Sequence, residues 1–196
     1  LEQAVFGLPE LHRAELKGAQ LVATPGCHVT AATLALRPLV AAGLVETTGI
    51  VVNTLTGITG AGRAPTDTNV FTNIDSNAIP YGLLSHRHTP EMEQEIGAEL
   101  LFPPHLVPLR RGRLATCAAT ATARCSEAAV TEALRSFYAD EPFVAVLDAP
   151  PATKPVLGSD AAHVSARYDE RTNTVIAMCA SDNLAKGASG GAVPES

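Results

Sequence analysis

The order of the predicted helices and strands constrains this chain more than any other feature of its sequence. Apolar residues at helical spacing predict helices at residues 28–42, 90–100 and 127–138. Runs of β-branched and small apolar residues predict strands at residues 49–56, 105–109, 113–124, 143–148, 162–168 and 173–180. Because helices and strands do not alternate regularly, we expect an α+β fold, with helices on one face of a mixed, mostly antiparallel sheet.

Local signals mark the ends of these helices. Gly43 is expected to end the first helix. Pro38 lies inside that helix and predicts a kink or an early break, because proline has no backbone N–H. Ser126 is a candidate N-cap for the third helix. Residues 57–80 are rich in Gly, Asn, Thr and Pro and predict a loop.

The composition fits a globular domain with an unusual core. The 196 residues suffice for one domain, and we expect residues 1–196 to form a single one. Hydrophobic residues make up 46% of the chain but aromatic residues only 4%, so Ala, Val and Leu must build the core. No apolar run reaches the roughly 18 residues that span a membrane, so a membrane partner is not expected.

Charge and cysteine content exclude further classes of protein. Twenty acidic and 14 basic residues give a net charge of -6 without a long basic cluster, so nucleic-acid binding is not expected. The four cysteines form no Cys-x-x-Cys pair and have no zinc-finger spacing with histidine. Cysteines that are few and unpatterned predict a cytoplasmic protein rather than a secreted one.

The motif Pro25-Gly26-Cys27 precedes the long helix and is the most informative chemical signal. Cys27 would stand at the helix N-terminus, where free backbone N–H groups and the helix dipole stabilise a thiolate. A thiolate is a competent nucleophile, and the same N–H groups would hold an oxyanion formed beside it. The alternative is a cysteine that only packs at the helix start. The other cysteines lie in apolar runs and predict core positions: Cys117, Cys125 and Cys179.

A second candidate site is the pair His86 and His88, which stands directly before a predicted helix. If the stretch is extended, both imidazoles share one face, and one of them can exchange protons near pH 7. Glu91 or Glu93 would then orient it. The alternatives are a polar loop at a helix start or a metal site. No spacing demands a metal, although further histidines occur elsewhere in the chain: His28, His105 and His163.

Two glycine-rich stretches carry weaker signals. Residues 56–63 contain three glycines within six residues, which suits an anion, but they match neither a P-loop nor a dinucleotide-binding turn. Arg63 in this stretch and Arg111 further on are each able to pair with a carboxylate or phosphate; the alternative is solvated surface. Residues 181–188 predict a strand end that turns into a helix, capped by Ser181 or Asp182. The small residues at 186–192 allow close approach of a backbone or a flat ligand.

Together these segments resemble the N-acetyl-gamma-glutamyl-phosphate reductases, the arginine-pathway members of the semialdehyde dehydrogenase superfamily. The matching motifs follow one another along almost the whole chain: VFGLPEL at 5–11, PGC at 25–27, GAGR at 60–63, HRHTPE at 86–91, HLVP at 105–108, RG at 111–112 and DNLAKGA at 182–188. The combination of PGC with HRHTPE is the most specific part of this resemblance.

The resemblance implies a catalytic and dimerisation domain that folds like those of glyceraldehyde-3-phosphate and aspartate-semialdehyde dehydrogenases. Cys27 would attack an acyl phosphate, expel phosphate and form a thioester. Hydride from NADPH would give a thiohemiacetal that collapses to the γ-semialdehyde of N-acetyl-glutamate, a step of arginine biosynthesis. Subunits of the family meet through this domain's sheet, so a homodimer or homotetramer is expected.

The resemblance also implies roles for individual residues. His88 is favoured as the acid/base, and His86 and Glu91 as residues that bind or orient the substrate. Arg111 would hold the substrate's carboxylate or phosphate, with Arg63 as a further candidate. Two residues near the C-terminus are expected to lie close to the nicotinamide of the cofactor: Asn183 and Gly187.

Departures from the family pattern leave alternatives open. Thr24 stands where the family usually has Asn, His28 where it has Tyr, and Leu84-Ser85 where it has Gly-Gly. A related substrate, such as carrier-bound aminoadipyl phosphate, is therefore an alternative. The chain lacks the Gly-x-x-Gly-x-x-Gly segment of the family's Rossmann domain, so by itself it is expected to bind NADPH poorly. Two other functions stay open, a non-catalytic binding or dimerisation module and a cysteine hydrolase that needs no cofactor.

Overall fold

A mixed sheet forms the centre of the computed structural model, which describes residues 4–190. The strands are β1 (Val5–Phe6), β2 (Val22–Ala23), β3 (Ile50–Gly57), β4 (Ile79–Pro80), β5 (Leu100–Leu101), β6 (Pro104–Val107), β7 (Arg113–Thr120), β8 (Val144–Val146), β9 (Ala162–Asp169) and β10 (Thr174–Ser181). The helices are α1 (Pro9–Leu16), α2 (Cys27–Ala41), α3 (Phe71–Ile74), α4 (Thr89–Ile96) and α5 (Glu127–Phe137).

The main sheet has eight strands in the order β4-β6-β3-β7-β10-β9-β8, with β5 also beside β3, while β1 and β2 pair separately. The long strands β3, β7, β10 and β9 are antiparallel to their neighbours in this series. β3 is parallel to β5 and β6, and β8 is parallel to β9. The predicted mixed, mostly antiparallel sheet is therefore confirmed. β6 and β7 are separated by β3 and do not form a hairpin.

The core lies where α2 packs on small residues of the sheet. Val52, Cys117, Ala177 and Ala166 are register partners on consecutive strands, so their side chains project to one face, and each is buried. Because most of these side chains are small, α2 lies close to the strands and buries eleven of its own 15 residues. α5 packs on β9 on this face. Full burial of a Leu or Val side chain stabilises the fold by about 1.5–3 kcal/mol.

The opposite face of the sheet carries half-exposed side chains. Val51, Ala118 and Ile176 form one row across β3, β7 and β10, and Thr116 and Met178 belong to the next. An apolar sheet face of this kind is typical of a contact surface.

Several predicted boundaries shift in the structure. The helix predicted at 90–100 ends at Ile96, because Gly97 takes a left-handed backbone with φ of 78° and Leu100–Leu101 joins β3. The strands predicted at 105–109 and 113–124 are shorter. The predicted loop at 57–80 contains a 3-10 turn (Ile58–Ala61), α3 and β4. Ser126 is confirmed as the N-cap of α5, since its side chain accepts a hydrogen bond from the Ala129 N–H at 3.1 Å.

Two predictions concern the ends of the chain and its relation to membranes. The small-residue stretch 186–192 is described only to residue 190, and residues 191–196 lie outside the described range. Within residues 4–190, no helix is both long enough and apolar enough to cross a bilayer.

Pro38 does not break its helix, so the predicted early break is wrong. α2 continues through Pro38 to Ala41. A proline at this position leaves the carbonyl of Leu34, four residues earlier, without its helical donor. The hydroxyl of the buried Tyr138, which follows α5, donates to that carbonyl at 2.7 Å. A tertiary hydrogen bond therefore replaces the one that proline removes.

This replacement predicts a coupling between Pro38 and Tyr138. Tyr138→Phe should lower the free energy of unfolding by about 1–3 kcal/mol, because the buried Leu34 carbonyl loses its donor. In a Pro38→Ala background the new backbone N–H supplies a donor, and the same change should cost about 1 kcal/mol less. Urea denaturation of the four proteins measures the coupling; strictly additive effects would contradict it.

Candidate active site

Cys27 is the first residue of α2, and Gly26 before it is the N-cap. The backbone of Gly26, with φ of -63° and ψ of 143°, is one that any residue can adopt, so no turn geometry requires glycine here. Glycine is needed at this position because a Cβ on Gly26 would overlap the imidazole of His88. His88 therefore packs directly against the residue that precedes the candidate nucleophile.

Glu91 holds the same short segment from the first turn of α4. Its Oε1 accepts a hydrogen bond from the Gly26 N–H at 3.0 Å. Partial burial raises the pKa of the Glu91 carboxyl, and the hydrogen bond from Gly26 opposes that effect. Glu91 thus fixes the backbone beside Cys27.

Gly187 lies on the other side of Cys27. A Cβ built on Gly187 would be 2.9 Å from the Cβ of Cys27, so only glycine leaves room there. Gly187 belongs to a π-helical turn (Ala185–Ser189) that follows β10. Asp182 caps this turn, since its Oδ1 accepts from the Leu184 N–H at 2.8 Å and the Ala185 N–H at 3.2 Å. Of the two cap candidates, Asp182 is confirmed.

Three histidine rings meet next to Cys27. His28 lies between Tyr81 and Thr54, with hydrogen bonds of 2.7 Å from its Nε2 to the Tyr81 hydroxyl and 2.8 Å from its Nδ1 to Thr54 Oγ1. The rings of His86 and His88 are 4.8 Å apart between centroids, and those of His28 and His88 are 5.7 Å apart. Residues 86–88 form a turn rather than an extended stretch, in which the His86 Nδ1 accepts the His88 backbone N–H at 3.1 Å.

Burial keeps these imidazoles neutral at pH 7. Desolvation is the largest cause in each case, and nearby positive charge adds to it. The pKa of His88 falls to about 4, with contributions from His86, Arg87 and Arg113. The pKa values of His28 and His86 are lowered as well. His88 is therefore present as a proton acceptor in the resting protein.

Arg113 is the main site residue that sequence reasoning missed. It is the first residue of β7, is 0% exposed, and donates from Nη2 to Thr56 Oγ1 at 2.7 Å. Its position alternates with Ala115 and Cys117 on the buried face of the strand. That alternation was the available signal, because an arginine on the core side of a strand is rare.

The two arginines singled out from the sequence lie apart from this cluster or at its edge. Arg111 forms an ion pair from Nε to Asp182 Oδ2 at 2.6 Å, and about a third of its side chain is exposed. Burial opposes ionisation of Asp182, but hydrogen bonds from Arg111 and three backbone N–H groups lower its pKa. Arg63 is exposed and lines a separate cavity of about 260 Å³ with Asn69 and Val70. The structure does not bring Arg63 to Cys27.

The buried side chain of Asn183 links two loops through hydrogen bonds. Its Oδ1 accepts from the Gly112 N–H at 2.7 Å, and its Nδ2 donates to Thr59 Oγ1 at 3.0 Å. Both ends of the amide are thus engaged within the protein.

The histidine cluster also has the composition of a metal site, with one nitrogen each from His28, His86 and His88 within 4.8 Å of one another. Both nitrogens of His28 are already hydrogen-bonded, and His86 Nδ1 receives a backbone N–H. The charge of Arg113 bears on all three rings. These contacts favour an anion over a cation at this position.

This fold is shared with the aspartate semialdehyde dehydrogenases of known structure. The structure of aspartate semialdehyde dehydrogenase II from Vibrio cholerae superposes with a TM-score of 0.73 at 18% identity, covering 98% of this chain and 67% of that one. The enzyme from Francisella tularensis gives a TM-score of 0.70 at 12% identity, with 96% and 68% covered.

The chain belongs to the semialdehyde dehydrogenase family, whose dimerisation-domain model matches residues 27–183. Its curated relatives include proteins named N-acetyl-gamma-glutamyl-phosphate reductase, which confirms the resemblance seen in the sequence. The protein from Thermus thermophilus is 46% identical over 97% of this chain, and that from Moorella thermoacetica is 43% identical over 97%. The chain spans 60% and 58% of the lengths of these two relatives.

The lowered histidine pKa values predict a loss of stability in acid. The unfolded chain binds protons at these histidines below about pH 6.5, whereas the folded chain does not until about pH 4 at His88. Their contribution to stability is therefore present above pH 6.5 and lost as the pH falls toward 4. Urea denaturation between pH 7.5 and 4.5 should show a shallower pH dependence for His88→Asn than for the parent; an equal slope would contradict the assignment.

Proposed function

We propose that this chain is the catalytic and dimerisation domain of an NADPH-dependent reductase of N-acetyl-γ-glutamyl phosphate, which forms the semialdehyde and phosphate in arginine biosynthesis. The observation that carries the proposal is Cys27 at the start of a 15-residue buried helix, with His88 against Gly26 and Gly187 against Cys27 itself. The names of the curated relatives support the choice of substrate.

Cys27 is the nucleophile in this proposal. Its sulfur attacks the acyl carbon of the acyl phosphate, the carbon–oxygen bond to phosphate breaks, and a thioester remains on the enzyme. The first N–H groups of α2 have no acceptors within the helix, so they are available to an oxygen anion that forms at the acyl carbon. Among the other cysteines, Cys117 and Cys179 are fully buried, and burial raises the pKa values of their thiols, that of Cys179 to about 12.

His88 is the acid/base. As a neutral imidazole beside Gly26, it accepts the proton of the Cys27 thiol and later gives it to the carbonyl oxygen, which would become an oxyanion once hydride is added to the thioester. His86 supports it by accepting the His88 backbone N–H, and Glu91 holds the Gly26 segment in place. Each of these contacts suits an orienting role, with His86 also available to the substrate.

The phosphate end of the substrate is assigned to Arg111. It stands at the rim of a surface cavity of about 660 Å³ lined also by Lys154 and Gly158. Its pairing with Asp182 leaves part of the guanidinium exposed for an anion. Arg63, which lies on a separate cavity, is the weaker candidate for this role.

Among residues 4–190, the segment beside Cys27 fits the nicotinamide end of NADP. Gly187 offers no side chain beside Cys27, which leaves space for a flat ring, and Asn183 shapes the adjoining turn. The glycine-rich turn after β3 leads into a 3-10 turn rather than into the helix that dinucleotides require. We therefore assign most of the NADP contacts to a domain outside these 196 residues. When bound, NADPH would supply a hydride to the acyl carbon.

Modification of Cys27 tests the proposal directly. In the whole protein that carries this chain, Cys27→Ser should abolish NADPH oxidation with N-acetyl-γ-glutamyl phosphate. Cys125→Ser, a matched change at a partly exposed thiol, should leave it unchanged. Iodoacetamide should label Cys27 faster than Cys117, measured by mass spectrometry of the peptides.

The outcomes separate the competing functions. Phosphate release without NADPH would indicate a cysteine hydrolase, and absence of reduction together with slow Cys27 labelling would indicate a non-catalytic module. If carrier-bound aminoadipyl phosphate is reduced faster than N-acetyl-γ-glutamyl phosphate, the carrier-bound compound is the better assignment of the substrate. The proposal places the reaction in the cytoplasm.

The half-exposed sheet face is proposed as the contact of a homodimer, or of one interface in a homotetramer. Met178→Lys places a charge at the centre of the row that includes Thr116, and should dissociate the assembly, because an unpaired charge in an apolar interface is unfavourable. Ala128→Lys, on the exposed surface of α5, is the control and should leave the mass unchanged. Light scattering after size exclusion measures the mass; an unaltered mass for Met178→Lys would exclude this face.

A further inference from the structure

Arg113 is a buried cation with unused hydrogen-bond capacity. Its side chain is 0% exposed, and its Nε and Nη1 have no hydrogen-bond partner among residues 4–190. No carboxylate in that range forms an ion pair with it; its described partner is the hydroxyl of Thr56. A buried guanidinium without a counter-charge is strongly unfavourable, so its presence indicates a place where negative charge is bound.

The side chains of Thr56 and Ser181 beside Arg113 carry hydroxyl groups and no negative charge. Thr56 and Ser181 are its register partners on β3 and β10, and partners of this kind project to the same face. The hydroxyl of Ser181 is buried and also has no hydrogen-bond partner within the described residues. Thr54 lies two residues before Thr56 on β3, on the same face, and forms a hydrogen bond with His28 in the first turn of α2. Arg113 and Ser181 therefore lie beneath the same helix end that carries Cys27.

The titratable side chains that face Arg113 do not neutralise its positive charge. The groups on which its charge acts include Tyr81, His28, His86 and His88, and each of these is uncharged at pH 7. His86 accepts a backbone N–H at Nδ1, so its neutral form carries the proton on Nε2 and offers another donor. This set of side chains matches an oxyanion.

We infer that Arg113 forms a carboxylate subsite behind Cys27, which takes a carboxylate of the substrate and thereby selects acyl phosphates that carry one. The inference rests on the proposed function for the identity of the substrate. One enclosed guanidinium balances one carboxylate charge, whereas phosphate carries up to two and suits the cavity that Arg111 shares with Lys154, which offers a second cation. Because protein atoms enclose the guanidinium, the carboxylate displaces a neighbouring side chain, and the partly exposed Tyr81 is the candidate.

The test compares Arg113→Met and Arg113→Lys with the parent in the whole protein that carries this chain, and Arg124→Met as the control. Arg124 is an exposed arginine beyond the other end of β7. The probes are N-acetyl-L-glutamate, which has carboxylates and no phosphate, and inorganic phosphate. The readouts are the thermal unfolding midpoint and the rate of Cys27 alkylation by iodoacetamide, each with and without probe.

N-acetyl-L-glutamate should slow alkylation and raise the midpoint of the parent and of Arg124→Met. Arg113→Met should weaken its apparent affinity by about tenfold to a hundredfold, with a smaller loss for Arg113→Lys, which keeps the charge but not the planar fork. Without probe, the midpoint of Arg113→Met should equal or exceed that of the parent, because an unpaired buried charge has been removed. Inorganic phosphate should change the midpoint and the alkylation rate of Arg113→Met as much as those of the parent.

Unchanged affinity of Arg113→Met for N-acetyl-L-glutamate would overturn the inference, as would a loss confined to phosphate. If Arg113→Met does not fold, unchanged affinity of Arg113→Lys has the same meaning. A parent protein that binds N-acetyl-L-glutamate through Arg113 but reduces no acyl phosphate would overturn the proposed function and leave the carboxylate subsite standing.

Discussion

The rest of the structure depends on the close packing of α2 against the small side chains of β7 and β10. Ala115, Cys117 and Ala177 leave little bulk on the sheet, so the helix lies near the strands and is buried on most of its surface. Dense contact of this kind holds a helix with few aromatic side chains around it. It also fixes the position of the helix start, and with it the position of Cys27.

The site is assembled from segments far apart in the chain. Glu91 and His88 reach Gly26 from the start of α4, while Gly187 meets Cys27 from the turn after β10. The contacts of His88 with Gly26 and of Gly187 with Cys27 each depend on a glycine with no room for a side chain. The helix end that carries Cys27 is therefore enclosed by packed segments on two sides.

Local chemistry predicted the parts of the structure that depend on neighbours in sequence. The Ser126 cap and the helix after Pro25-Gly26 follow from residues close to the backbone they affect. The continuity of α2 through Pro38 was not predictable in this way. It depends on Tyr138, 104 positions beyond the carbonyl of Leu34, and such a partner is invisible to local pattern.

The sequence by itself determined the fold class, the candidate nucleophile and the histidine pair, because periodicity, helix-start chemistry and short motifs are written in consecutive residues. Only the tertiary structure decided that Gly26 and Gly187 leave room for neighbouring atoms and that Glu91 accepts a backbone N–H. It also decided that Arg113 is buried with no carboxylate paired to it among residues 4–190. Those facts depend on which strands pair and which helix covers them. Desolvation and charge arise from that three-dimensional packing, and so the neutrality of the histidines arises from it too.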